Sequence, residues 1–130
     1  MGSFRSSNTI LSGLTNSGKT IYTRPSVTNL ADDGSIPITS TMANIDAAGG
    51  ARTGIRFAGA GTAGQILIVN NSGGEDLTLH NTEATALVRG IAAGADTIES
   101  EGVYVFISDG EFWNCLGGGA DSGADGLGEG

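Results

Sequence analysis

Apolar and polar residues alternate with a period of two along much of this chain, in short runs separated by glycine, asparagine and aspartate. That pattern predicts short β-strands rather than helices. The clearest run is QILIVNN (65–71), a β-branched apolar block bounded by turn signals and expected to be a buried strand. The turn NNSGGED follows, then LTLHN (77–81), in which Leu77 and Leu79 alternate with Thr78 and His80. GVYVFIS (102–108) is apolar on both faces, with Val103, Val105 and Ile107 on one side and Tyr104 and Phe106 on the other. A strand of this kind is expected to lie between the core and a second buried surface. Asp109-Gly110 predicts a two-residue hairpin leading into EFWNCLG (111–117).

Weaker signals fill in the rest. Asp33-Gly34 marks a turn, and SIPITST after it alternates Ile36 and Ile38 with polar neighbours, Pro37 suiting an edge strand. RTGIRFAG (52–59) reads as a strand with Ile55 and Phe57 on one face, between the loops AAGGA and GAGTAG. From Thr82 to Ala95 the composition tolerates helix, but Gly90 and Gly94 interrupt it. A loop with a short extended piece around Leu87 to Ile91 is expected there. Residues 32–117 therefore predict an all-β domain of seven or eight strands, spaced about 8–12 residues apart, as a small jelly-roll-like β-sandwich or barrel. No regular repeat of about 20–50 residues is visible. Residues 1–31 read as an extended N-terminal arm, in which NTILSGL and KTIYTR form strands only against something else. Residues 118–130 read as a flexible, acidic, glycine-rich tail.

Composition adds a reason to expect assembly. The 130 residues suit one domain, and only 15% are charged against 38% hydrophobic, a low charge density for a free monomer. The charge is also segregated. Residues 1–31 carry Arg5, Lys19 and Arg24 and no acid, while the remainder sets three arginines against fourteen acids, for a net charge of −8 overall. Such an acidic body repels nucleic acid and anionic lipid, so neither is an expected partner. The basic arm, with Arg5, Lys19, Tyr22 and Arg24, is the candidate for docking onto an acidic surface. One cysteine, Cys115, excludes an internal disulfide framework and reads as a small buried hydrophobe. No stretch reaches the length of a transmembrane helix, and no secretory signal is read at the start.

Two motifs resemble nucleotide sites and fail on context. Gly13 to Thr20, GLTNSGKT, fits the P-loop expression, but no apolar strand precedes it and Pro25 would stop the required helix. Gly59 to Gly64, GAGTAG, fits GxGxxG, but the strand QILIVNN follows where a dinucleotide fold needs a helix. The glycines more simply make a tight connection between strands. His80 lacks partners for a zinc site. Glu99 and Glu101 would share one face of a strand, where solvated charge is the simpler role than a glycosidase pair. Asp32-Asp33-Gly34 and the tail acids Asp121, Asp125 and Glu129 do not match an EF-hand loop. Trp113 with Phe112, or Tyr104 with Phe106, would serve a sugar platform only if exposed; core or interface packing is the expected use. No catalytic residue, metal or cofactor is expected.

The stretch from DGSIPITST through TGIRFAGAGTAGQILIVNNSGGEDLTLHNTEA to GVYVFISDGEFWNCL resembles small β modules of tailed-bacteriophage virions. In those an xDGxIPITS opening precedes a GxIxxxAGxxAGQxxxVxNxS core, and a closing aromatic strand and DGxxW hairpin end the module. The likeness covers about residues 32–116, with GQILIVNNSG and DGEFW its most specific parts. Such modules occur in capsid decoration (cement) proteins, head fibres and tail-fibre segments and are commonly trimeric. The resemblance implies a non-enzymatic structural protein, made in the host cytoplasm and placed on the outer capsid surface. There a homotrimer would bind the major capsid protein and bridge capsomers. Ile66, Ile68, Tyr104, Phe106 and Trp113 would pack its core and trimer contacts. The alternative it implies is a tail-fibre or receptor-binding module with a host surface glycan as partner.

Overall fold

A computed structural model describes residues 25–90 and 96–120. The strands are β1 (Thr28–Leu30), β2 (Ser35–Ile36), β3 (Met42–Ala47), β4 (Arg52–Phe57), β5 (Ile66–Asn71) and β6 (Leu77–Leu79). A single helical turn, α1 (Glu83–Ala86), ends at Leu87 in the left-handed region. Then come β7 (Val88–Arg89), β8 (Thr97–Ile98), β9 (Val103–Ser108) and β10 (Trp113–Gly119). The described residues are all-β apart from that turn.

Consecutive strands do not pair with each other through the first six. β1, β3 and β5 lie parallel in one sheet, and β2, β4 and β6 lie parallel in the other. Each odd–even pair forms one rung of a solenoid-like stack. Parallel neighbours need a crossover, and here the strand of the opposite sheet supplies it. Antiparallel strands continue both ladders: β9 pairs with β5, β10 with β9, and β8 with β6. The six-stranded sheet runs β1-β3-β5-β9-β10-β7 and the four-stranded sheet β2-β4-β6-β8.

This corrects the expected sandwich or barrel. Strand spacing is the same in both architectures, but pairing between alternate strands produces stacked rungs. The rungs differ in length: Thr28 pairs with Ile45, 17 positions on, and Ile45 with Asn71, 26 positions on. That irregularity hides the stacking from any search for a fixed repeat. The folded region is also wider than expected, since β1 falls within the segment read as an arm and β10 runs on to Gly119.

The core fills the space between the two sheets. Leu67, Val69 and Phe106 meet Ile55, Phe57 and Leu77, all fully or almost fully buried. Phe57 stands edge-on to Phe106 with ring centroids 5.0 Å apart and stacks on Trp113 at 5.8 Å. Ile55 and Phe57 share the inward face of β4, as their spacing predicts. Asn71 is buried at the end of β5. Its Nδ2 donates to Glu75 O at 2.9 Å and Ile98 O at 3.1 Å, and its Oδ1 accepts from Gly73 N at 3.2 Å.

Local details depart from expectation in three places. SIPITST forms a strand only over Ser35–Ile36, at the edge of its sheet, with Pro37 just beyond. The β9–β10 turn spans four residues, not two, because Ser108 pairs with Trp113. Asp109 closes it: its Oδ1 accepts from the amides of Glu111 and Phe112, both at 2.8 Å. Glu99 and Glu101 lie in the turn between β8 and β9, not on a strand face, and Glu101 has a φ of 59°.

Candidate functional site

Alternation along β5 and β9 puts Leu67, Val69, Tyr104 and Phe106 inward and leaves the other face to Ile66, Ile68, Val103, Val105 and Ile107. In register, Ile66 sits beside Ile107 and Ile68 beside Val105, while Met42 of β3 adjoins Ile68. Ile66 is 39% and Val103 46% exposed. Leu116, lifted out by a bulge between Cys115 and Gly117, is 62% exposed. The adjacent strands β5, β9 and β10 contain no Asp, Glu, Lys or Arg. Together these residues form a continuous, uncharged apolar sheet face. Among the described residues the strand QILIVNN is therefore buried on one face only.

Amides frame the patch. Asn70 Nδ2 donates to Asn44 Oδ1 at 2.8 Å, one rung stacked on the next. Asn114 Nδ2 donates to Asp109 Oδ2 at 3.2 Å and lies beside Ile107. Sequence reading placed the asparagines after ILIV both at the end of the strand and in the following turn, and missed the ladder and the buried clamp at Asn71. The doubled asparagine at the end of an apolar run was the available signal.

Of the residues expected to pack the core or a trimer contact, Tyr104, Phe106 and Trp113 lie in the core and Ile66 and Ile68 on the outer face. Trp113 is completely buried, so it offers no sugar platform. Its Nε1 donates to Gly59 O at 2.7 Å. Phe112 is half-buried, with the Arg89 guanidinium 3.8 Å above its ring. Cys115 is partly buried against the core. The arm residues Arg5, Lys19, Tyr22 and Arg24, the GLTNSGKT motif and the tail acids lie outside the described residues.

Several other polar groups are engaged locally. A cleft of about 550 Å³ between β8 and the glycine end of β10 holds Asp76, Glu99 and Tyr104. Asp76 Oδ1 accepts from Ser100 N at 2.9 Å, and Glu99 Oε1 from Ala120 N at 3.2 Å. The Tyr104 hydroxyl accepts from Glu99 N at 3.1 Å and donates to Thr97 O at 3.3 Å. Burial pushes its pKa above the usual tyrosine value, with the Glu99 carboxylate adding to the rise. Asp32 pairs with Arg52 at 3.9 Å and Asp33 with Arg56 at 3.8 Å. His80 Nδ1 accepts from Thr82 N at 3.2 Å. Among the described residues no group of three or more His, Cys, Asp or Glu is placed to hold a metal. No helix among them is long and apolar enough to cross a membrane.

The GAGTAG loop has a packing role. Gly61, at a φ of +74°, lies against the Trp113 ring, and a Cβ there would come within 2.5 Å of Cζ2. Gly61 thus lets the loop close over the indole. Comparison of the chain with protein-family models, curated proteins and solved structures gives no match.

Proposed function

We propose that this chain is a structural protein of a tailed-phage virion that works by assembly. It binds the outer capsid surface as a trimer and bridges capsomers. The observation that carries the reading is the uncharged outer face of β5, β9 and β10, with Ile66, Ile68, Val103, Val105 and Ile107 in one patch. A sister subunit is its natural cover, since an uncharged apolar face can bury itself against the same face of an identical chain. The resemblance of DGSIPITST, GQILIVNNSG and DGEFW to virion β modules supplies the setting. The major capsid protein is then the second partner. Holding several capsomers at once gives avidity, and the binding energy opposes shell expansion by mass action.

The test is electron microscopy of the native assembly together with sedimentation of the pure chain. A trimer in solution and density on the outer shell are expected. A monomer at micromolar concentration, or density confined to a tail fibre, would sink the decoration reading. The second of these would favour a receptor module, to be checked for host-glycan binding.

A further inference from the structure

We draw no further inference here: the strongest candidate, the cleft between β8 and the glycine end of β10, carries nothing, because its carboxylates Asp76 and Glu99 already accept amide hydrogen bonds within the chain and nothing in the structure shows what covers it.

Discussion

The indole Nε1 of Trp113 donates to the carbonyl oxygen of Gly59 at 2.7 Å, joining β10 to the β4–β5 loop across 54 positions of sequence. One face of the same ring stacks on Phe57, and Gly61 closes over its edge. A loop that resembles a cofactor motif in one dimension is, in three, the socket of the largest core side chain. Gly61 in that loop is required by packing.

Two substitutions test that socket. Trp113→Phe removes the hydrogen bond and leaves a void, and is expected to cost about 2–4 kcal/mol. Gly61→Ala forces a Cβ onto the indole at a positive φ and is expected to cost about 2–3 kcal/mol. Urea unfolding reads both as a lower midpoint at unchanged slope. An unshifted midpoint in either variant contradicts the socket.

Asn71 is fully buried and binds three backbone groups, at Gly73, Glu75 and Ile98. Asn71→Leu keeps the volume and orphans all three, at an expected cost of about 2–4 kcal/mol. Hydrogen exchange around β8 should accelerate more than exchange in β3, because the clamp ties β5 to β8. Uniform acceleration would mean that the clamp is not local.

The outer face lets folding be tested apart from the proposed assembly. Ile66→Lys and Val103→Lys replace exposed residues and are expected to change stability by no more than about 0.5 kcal/mol. Both should abolish self-association in sedimentation runs. Intact oligomers carrying both lysines would remove this face from the interface.

Two side chains are expected to contribute pH dependence of opposite sign. Hydrogen bonds from the amides of Phe112 and Glu111 and from the Asn114 side chain hold Asp109 below its usual 3.8. The unfolded chain takes up this proton first as pH falls. The contribution of Asp109 is therefore present above the usual carboxylate value and lost as pH drops through the lower folded value. Asp109→Asn should flatten the acid end of the stability profile. Burial raises Tyr104 above its usual 10.0, so its contribution is present below pH 10.0 and lost as pH rises through the higher folded value. Tyr104→Phe should flatten the alkaline end, and an unchanged alkaline profile would contradict that assignment.

Much of the local structure was legible because strand alternation is a property of neighbouring residues. Ile55 and Phe57 share the core face of β4, and Val103, Val105 and Ile107 share the outer face of β9, as the pattern implies. The glycine-rich connections also fall where turn chemistry puts them. The two-residue hairpin at Asp109-Gly110 was misread because Asp109 caps two later amides and widens the turn. The clamp at Asn71 was missed because a buried asparagine and a turn asparagine look alike until their partners are known.

What the sequence by itself determined is the class of the protein, all-β, together with which residues of each strand face the same way. Both follow from a two-residue period that needs no distant partner. Only the tertiary structure decided which strands are neighbours. A short loop such as Ala48–Ala51 can turn a chain back within one sheet or carry it across to the other, and nothing local distinguishes the two. Here it carries β3 across to β4 in the facing sheet, leaving β3 to stack on β1 and β5. The choice is made by burial between the two sheets, where Ile45, Ile55 and Phe57 lose their water together. The same choice leaves Ile66, Ile68 and Val103 outside, on the face proposed for assembly.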